Sequence, residues 1–215
     1  MIKYVFSVFV FLLMLVVPVR NSSSGEIPSE YRKELFEVIE EEREATRQYN
    51  LFLDEVNKYA NYNLYLDSLA QDSIDYCMFK EILSRRESNH RYDVVNRWGY
   101  MGRYQFGKTT LRELRRLKLI KFDNEDIRWS NYKCNIPLQE ASLAALTYHN
   151  YDLLKPYFKY VGEIRGGVEI TKEGMLAAAH LRGYRSVVRY LATNGRINRT
   201  DAYGTSVGDY LGLYA

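Results

Sequence analysis

A glutamate at the predicted end of an amphipathic helix is the residue in this sequence best suited to acid–base chemistry. Residues 72–87 carry apolar side chains at three- and four-residue steps, the spacing of one buried helical face formed by Ile74, Cys77, Met78, Ile82 and Leu83. We expect Asp72 to cap this helix, and the helix to end within residues 87–90. Glu87 then meets the negative end of the helix dipole, which disfavours its ionised form. A group that retains its proton near neutral pH can act as a general acid.

The segment that follows this helix combines glycines with polar and aromatic side chains. Within residues 92–107, tight turns are favoured by Gly99, Gly102 and Gly107. We expect a small β-hairpin here, beside the helix that ends at Glu87. Gln105 is a candidate both for contact with a ligand and for a hydrogen bond that fixes the hairpin. The apolar walls that would raise the pKa of a nearby acid are expected from Met101, Tyr104 and Phe106.

Three blocks of sequence, in this order, resemble a known family. The first is Glu87-Ser88 followed by Asn96-x-x-Gly99-x-x-Gly102-x-x-Gln105-Phe106. The second is Ala177-Ala178-Ala179-His180-Leu181-Arg182-Gly183, and the third is Asp201-x-x-Gly204-Thr205-Ser206-x-x-Asp209-Tyr210-Leu211. Together they are similar to lysozyme-like lytic transglycosylases of the soluble-lytic-transglycosylase type, as found in bacteria and in phage tails.

The resemblance implies a mostly α, lysozyme-like fold with a small β-hairpin beside the catalytic helix, over residues 71–215. It implies that Glu87 alone protonates the glycosidic oxygen between N-acetylmuramic acid and N-acetylglucosamine, with no cofactor and no metal. The same residue then deprotonates the sugar's 6-hydroxyl to give a 1,6-anhydro product, whereas a water in place of that hydroxyl gives hydrolysis. Both outcomes stay open, and we favour lytic cleavage. The expected substrate-binding residues are Ser88, Met101, Tyr104, Gln105, Phe106 and His180.

The late block departs from the family pattern. These transglycosylases commonly carry Ala-Tyr-Asn-Ala-Gly there, whereas this chain has Ala179-His180-Leu181-Arg182-Gly183. His180 either takes the place of the missing tyrosine and asparagine or packs in the core. The departure supports an alternative function, a catalytically inactive peptidoglycan-binding or scaffold protein of the same fold. Asp93 and Asp209 are the other carboxylates that we consider near the cleft.

Several arginines surround the expected cleft. They are Arg85, Arg86, Arg91, Arg97 and Arg103. Such side chains are commonly solvated, but they are also suited to attracting the acidic peptide stems of peptidoglycan.

The same region also satisfies a nucleotide-binding pattern. Gly102-Arg103-Tyr104-Gln105-Phe106-Gly107-Lys108-Thr109 matches the phosphate-binding loop G-x-x-x-x-G-K-T, and a helix is expected after it. Such a loop follows a buried apolar strand, but the residues before it include Asn96, Arg97 and Gly99. The chain also lacks the alternating strands and helices of a parallel sheet. We therefore keep nucleotide binding only as a rival interpretation.

An apolar N-terminal stretch indicates export. Residues 4–17 form an apolar run behind Lys3 that is short for a membrane span, and residues 18–25 are mostly small and polar. We interpret residues 1–25 as a signal peptide or an uncleaved anchor, with residues 4–17 as a candidate membrane tether. Either places the rest of the chain in the periplasm or cell envelope, where peptidoglycan glycan strands are the expected partner. The net charge of +3 gives no indication of nucleic-acid binding.

The remaining elements are expected to be helical. Residues 26–70 are strongly charged, and we expect a helix from Glu26 to about Asn63 with Ser29 as its cap. Later helices are expected to begin or end at residues with strong terminal preferences, namely Thr110 with Glu113, Pro137, Thr171 and Gly183.

The cysteines and histidines give little indication of a metal site. Cys77 and Cys134 are expected either to form a disulfide in an oxidising compartment or to stay reduced, with Cys77 as a small buried side chain. The histidines, His90, His149 and His180, share no metal-ligand spacing. The sequence indicates no protein partner.

Overall fold

The computed structural model describes residues 29–201 and 203–215, and most of these residues lie in α-helices. The helices are α1 (Ser29–Asn57), α2 (Tyr62–Gln71), α3 (Tyr76–Ser88), α4 (Lys108–Arg116), α5 (Trp129–Tyr132), α6 (Ile136–Leu154), α7 (Lys172–Arg182), α8 (Tyr184–Ala192) and α9 (Val207–Leu211). Short 3-10 helices cover Lys155–Tyr160 and Gly212–Tyr214, and strands β1 (Ile164–Arg165) and β2 (Val168–Glu169) pair antiparallel. The prediction of a mostly α protein is confirmed.

The long helix that we expected to reach about Asn63 is interrupted by a turn. α1 ends at Asn57, and α2 begins at Tyr62. The Asn57 side chain accepts a hydrogen bond from the backbone N–H of Tyr62 at 3.0 Å and donates one to the carbonyl of Leu53 at 2.9 Å. These bonds satisfy backbone groups at the helix ends and so stabilise the turn.

The described residues fall into two units, residues 29–48 and residues 49–215. α2 belongs to the larger unit, although its sequence forms part of the charged segment described above. Its Tyr65 ring stacks on Tyr148 of α6 with ring centroids 4.6 Å apart, and its hydroxyl donates to the carbonyl of Leu119 at 2.7 Å. These contacts bury Tyr65 and make α2 part of the core.

The predicted leader is not among the described residues. Residues 1–25, with the candidate tether at residues 4–17, lie outside them, so the signal peptide and the anchor stay predictions. Across residues 29–201 and 203–215, no helix is both long enough and apolar enough to cross a membrane.

α6 is the central helix of the larger unit. Its buried side chains lie on all sides and include Leu138, Ala141, Leu143, Ala144, Ala145 and Leu154. The side chain of Asn135 caps it by accepting from the backbone N–H of Leu138 at 3.1 Å, and Pro137 lies in its first turn. The predicted central helix is therefore present. Two polar residues, Gln139 and Glu140, are buried within it.

α3 begins later than the sequence predicts. Its cap is Asp75, which accepts from the backbone N–H of Met78 at 3.0 Å, whereas Asp72 ends α2. Its buried residues are Tyr76, Phe79, Leu83 and Ser84. The predicted face is wrong at Cys77 and Met78, which are exposed because the large aromatic side chains occupy the core side instead. Both Cys77 and Cys134 are free thiols, so the structure contains no disulfide between them.

An irregular loop replaces the β-hairpin that we expected beside α3. Residues 89–107 contain isolated bridges between Val95 and Met101 and between Met101 and Phe106, but no strand. Positive φ angles within the loop occur at Asn89, His90, Gly99, Gly102 and Gln105. Each redirects the backbone, so that no continuous ladder forms. The antiparallel pair found in the described residues lies at residues 164–169 instead.

α4, in contrast to α3, begins earlier than predicted. It starts at Lys108, and Thr110 is not its cap. Glu113 binds the guanidinium of Arg116 at 2.7 and 2.8 Å and does not complete a capping box. In the described part of the chain no strand precedes Gly102, so the G-x-x-x-x-G-K-T pattern lacks the context of a nucleotide site.

The C-terminal helices pack against one another. Thr171 caps α7 as predicted, accepting from the backbone N–H of Gly174 at 3.0 Å. Gly183 ends α7 with φ 74° and ψ 153°, so the positive φ is present but the conformation is not that of a left-handed helix. α9 packs on both α7 and α8, which brings the C-terminal segment beside the end of α7.

Gly102 fixes the loop of residues 89–107 against α6. Its φ is +77°, and a Cβ built there would collide with the side-chain amide of Gln139. That amide accepts from the backbone N–H of Arg103 at 2.8 Å and donates to the carbonyl of Tyr132 at 2.8 Å. The close approach at Gly102 therefore lets Gln139 tie the loop to the core.

We expect Gly102→Ala to lower the free energy of unfolding by about 2–4 kcal/mol, because a strained φ adds to a clash that displaces Gln139. Gly99→Ala is the matched control, since its φ is +78° but nothing lies within 4 Å of the added Cβ. Strain alone should then cost about 1 kcal/mol. Chemical denaturation of both variants measures the difference, and equal losses would contradict a role for the Gln139 contact.

Candidate functional site

A cavity of about 390 Å³ opens where the end of α3, the loop of residues 89–107, the end of α7 and the C-terminal segment meet. Its lining includes Glu87, Asn96, Gln105, His180, Asp201 and Tyr210. The volume lies within the range of roughly 300–1,000 Å³ that is usual for small-molecule sites. Of the residues that the sequence selects, the structure brings Glu87, Gln105 and His180 together here.

Glu87 lies in the last turn of α3, where the sequence predicts it. The helix ends at Ser88, and Asn89 adopts the left-handed conformation with its backbone N–H bonded to the carbonyl of Arg85 at 3.2 Å. The Glu87 side chain is only 13% exposed, and its Oε1 accepts a hydrogen bond from the hydroxyl of Tyr210 at 2.6 Å. The carboxyl group is therefore held in one place at the edge of the cavity.

Burial raises the pKa of the Glu87 carboxyl above its ordinary value. His180, the hydrogen bond from Tyr210 and the positive charge of Arg86 act in the opposite direction, and the negative charge of Asp201 adds to the rise. Desolvation is the largest of these effects, so the protonated form is favoured relative to an exposed glutamate. This is the electrostatic setting that a general acid requires.

Tyr210 lines the cavity and contacts Glu87, a position that the sequence did not indicate. It lies in α9, where Ser206 and Asp209 form a capping box through two hydrogen bonds of 3.1 and 2.7 Å. Burial, together with the negative charge of Glu87, raises the pKa of the Tyr210 hydroxyl, so it remains a donor. Asp209 caps α9 and lies outside the cavity lining, which corrects its assignment as a cleft carboxylate.

His180 lies beside Glu87 but is held by the loop. Its Nε2 is 2.9 Å from the backbone carbonyl of Tyr104 and 3.9 Å from Glu87 Oε1, and its ring packs edge-on against Phe106. A carbonyl oxygen only accepts hydrogen bonds, so Nε2 carries a proton. Nδ1 is buried and has no hydrogen-bond partner among the described residues. His180 thus both lines the cavity and packs against core side chains.

Gln105 combines the two roles considered for it. It lines the cavity, and its side-chain amide donates to the carbonyl of Gly102 at 2.9 Å. Its φ is +49°, the left-handed region, which this internal bond helps to hold. Within the described structure no hydrogen bond joins Gln105 to Glu87. Nearby, Asn96 fixes the opposite side of the loop by accepting from the backbone N–H of Tyr100 at 3.1 Å.

Four residues expected to contact substrate do not line the cavity and pack next to it. Met101, Tyr104 and Phe106 are at most 2% exposed and do not line the cavity. Backbone bridges join Met101 to Val95 and to Phe106, and the Tyr104 hydroxyl donates to the buried Glu140. Ser88 also lies outside the cavity lining and donates to the carbonyl of Arg103 at 2.8 Å, so it ties the helix end to the loop.

A buried carboxylate in α6, that of Glu140, forms hydrogen bonds with several of the residues around the site. Glu140 is 1% exposed and accepts from the hydroxyls of Tyr104 at 2.6 Å and Tyr92 at 2.8 Å. Lys80 of α3 donates to it at 3.2 Å, and Arg103 lies 3.8 Å away. Pairing with these groups offsets the cost of burying the charge. The network joins α3, α6 and the loop, and thereby fixes the backbone carbonyl that holds His180.

The mouth of the cavity carries exposed aromatic rings and charged groups. Tyr100 and Tyr203 line it and are 44% and 52% exposed, and the guanidinium of Arg97 lies over the ring of Tyr203 at 5.3 Å. Asp201 Oδ1 is occupied by the backbone N–H groups of residues 203 and 205 at 2.8 and 2.9 Å. Asp93 is not in the cavity lining and pairs with Arg91, so it too is not a cleft carboxylate.

No metal centre accompanies these groups in the described residues. Across residues 29–201 and 203–215, no three or more histidine, cysteine, aspartate or glutamate side chains are grouped so that they could hold a metal ion. The buried Glu87 carboxyl is suited to acid–base chemistry, and it lies next to donors and aromatic faces that suit a polar ring-shaped ligand.

We expect Glu87→Gln to stabilise the protein more at about pH 7 than at about pH 4. A raised carboxyl pKa means that stability is fully present below the unfolded pKa and is lost as pH rises through the folded pKa. Glutamine cannot ionise, so the variant avoids that loss, and each kcal/mol gained should raise Tm by roughly 2–4 °C.

Thermal unfolding at the two pH values measures this effect. Glu113→Gln is the control with the opposite sign, because the hydrogen bond from Arg116 lowers the pKa of Glu113. A Tm difference between the Glu87 variant and the wild type that is the same at both pH values would contradict the account.

Comparisons with protein-family models, with curated proteins and with solved structures found no match to this chain. The resemblance noted from the sequence blocks therefore stays an expectation. The site is supported by its geometry. The buried Glu87 at the end of α3 shares one cavity with the amide of Gln105, the imidazole of His180 and the hydroxyl of Tyr210.

Proposed function

We propose that this chain is an exported peptidoglycan-cleaving enzyme with a lysozyme-like fold. It acts on the β-1,4 bond between N-acetylmuramic acid and N-acetylglucosamine, and Glu87 is its single acid and base. The observation that carries the proposal is the buried Glu87 carboxyl, which faces the same cavity as Gln105 and accepts a hydrogen bond from Tyr210.

The first step is proton transfer from Glu87 to the glycosidic oxygen. It needs a carboxylic acid that keeps its proton until substrate is bound, and burial of Glu87 provides this. As the proton leaves, the bond between the anomeric carbon and the glycosidic oxygen breaks. The Tyr210 hydroxyl, already bonded to Oε1, then stabilises the carboxylate that forms.

The second step returns the proton to Glu87. The acetamide oxygen of the muramic sugar bonds to the anomeric carbon as the leaving group departs, so no second carboxylate is needed. The Glu87 carboxylate then removes the proton of the 6-hydroxyl, whose oxygen displaces the acetamide and closes the 1,6-anhydro ring. Asp201 is the other carboxylate in the lining, and one of its oxygens is already occupied by two backbone N–H groups, which favours a single-glutamate mechanism.

The surroundings of Glu87 are consistent with a sugar ligand. Sugars present flat apolar faces and many hydroxyl groups, and Tyr100 and Tyr203 offer exposed rings at the mouth of the cavity. Asn96, Gln105 and Thr205 line the cavity with polar side chains. An exported location, inferred from residues 1–25, would bring this site to the cell wall.

The direct test is incubation of the full-length protein with purified peptidoglycan sacculi, followed by mass spectrometry of the released fragments. The expected products are muropeptides one water lighter than hydrolysis products. Loss of the acid in Glu87→Gln should lower the rate by roughly 10²–10⁴-fold. Glu113→Gln, on an exposed helix face outside the cavity, should retain activity.

The same experiment distinguishes the other possibilities. Products of hydrolytic mass would show that water replaces the 6-hydroxyl. Binding to sacculi with no released fragments would support the alternative of an inactive peptidoglycan-binding or scaffold protein, and would contradict the proposed enzyme.

We expect Tyr210→Phe to shift the pH dependence of cleavage towards higher pH. The Tyr210 hydrogen bond lowers the pKa of Glu87, so its removal raises that pKa and keeps the acid protonated at higher pH. The rate should also fall, because the carboxylate formed in the first step loses a donor, at a cost of roughly 10-fold. Rates measured across the pH range would contradict this mechanism if the alkaline limb stayed in place or moved to lower pH.

A further inference from the structure

Two arginines line the same cavity as Glu87 from different helices. Arg86 immediately precedes Glu87 in α3, and Arg182 lies at the end of α7, two residues after His180. Both side chains are exposed to solvent at the cavity wall. In the described part of the chain, neither forms an ion pair with a carboxylate.

The other arginines near the cleft have different surroundings. Arg103 is 11% exposed and bonded to Glu81 at 2.6 Å, so it belongs to the supporting network. Arg91 pairs with Asp93 and Arg97 lies over the rings of Trp98 and Tyr203, and neither arginine lines the cavity. Arg86 also lies over a ring, that of Tyr210 at 5.9 Å, but it does line the cavity. Arg85 does not line the cavity. The positive charge available to a ligand beside Glu87 is therefore that of Arg86 and Arg182.

The charge of Arg86 opposes the retention of a proton by Glu87. Its positive charge lowers the pKa of Glu87, which opposes the effect of burial. An anion bound to Arg86 would neutralise that charge and let Glu87 retain its proton more firmly. A positive charge at this position is therefore compatible with acid catalysis when the ligand itself brings a negative charge.

A guanidinium is suited to carboxylates because its planar N–H groups match the two carboxylate oxygens. We propose that Arg86 and Arg182 bind free carboxylates of the peptide stems, so that the site prefers glycan fragments with acidic stems over those with amidated stems. This inference rests on the proposed function and specifies the substrate within it. It concerns side chains attached to the glycan near the bond that Glu87 cleaves.

The test compares the binding of two probes that differ only in charge. One is a tetrasaccharide of alternating N-acetylglucosamine and N-acetylmuramic acid with free carboxylates on its peptide stems, and the other carries the same stems as amides. Calorimetry on the full-length Glu87→Gln variant measures binding without cleavage. We expect the acidic probe to bind at least about tenfold more tightly, with the preference weakening as salt is added.

Arginine variants in the same background then locate the preference. Arg86→Met with Arg182→Met should bring the ratio of the two affinities close to one. Arg85→Met with Arg185→Met is the matched control, since it removes the same charge from the same two regions at residues outside the cavity lining, and should leave the ratio unchanged. Arg182→Lys, which keeps the charge and loses the planar fork, should give an intermediate ratio.

The inference is overturned if both probes bind equally to the Glu87→Gln variant, if neither binds, or if the preference survives in the double variant. A wild-type protein that shows the preference in binding but cleaves neither probe would contradict the proposed enzyme and leave the arginine assignment supported. Cleavage of both probes with equal kcat/KM would support the proposed enzyme and contradict the arginine assignment.

Discussion

The hydrogen bond between Tyr210 and Glu87 joins two parts of the chain that are distant in sequence, and the site depends on it. Burial alone would leave the Glu87 carboxyl without a partner at the end of α3. The Tyr210 hydroxyl supplies that partner at 2.6 Å while leaving the carboxyl beside the cavity. Burial raises the pKa of Glu87, whereas His180, this hydrogen bond and the charge of Arg86 lower it, so the acid strength of Glu87 is set by burial against these groups. The packing of α9 on α7 therefore also places the Tyr210 hydroxyl beside Glu87.

A second network, centred on the buried Glu140, supports the loop of residues 89–107. Glu140 in α6 accepts hydrogen bonds from Tyr92, Tyr104 and Lys80. Its neighbour Gln139 accepts a hydrogen bond from the loop backbone at Arg103. A half-satisfied network of this kind would be destabilising, so its members act as a unit. Its consequence for the site is indirect. The carbonyl of Tyr104, fixed by the network, positions the imidazole of His180 next to Glu87.

Local signals predicted a mostly helical protein and the position of Glu87, and long-range contacts account for most of what the sequence missed. The end of α3, the Thr171 cap and the central α6 follow from residue preferences within a few positions. The role of Tyr210 could not be predicted in this way, because its partner lies 123 residues away. The hairpin was wrong because repeated positive φ angles favour an irregular loop, and the apolar types of Met101 and Phe106 did not distinguish a cavity wall from the core. The burial of Glu140 depends on Lys80, Tyr92 and Tyr104, which lie 36 to 60 residues away in the sequence.

The proposed mechanism requires that Glu87 holds its proton more firmly than an exposed glutamate does. The most direct measurement is an NMR titration of the wild-type protein with carbon-13 in the glutamate carboxyl groups, with the Glu87→Gln variant used to assign the Glu87 signal. We expect a midpoint for Glu87 above the ordinary value of 4.5. A midpoint at or below that value would contradict the mechanism, because the carboxyl would then be ionised like any surface glutamate and unable to serve as the acid.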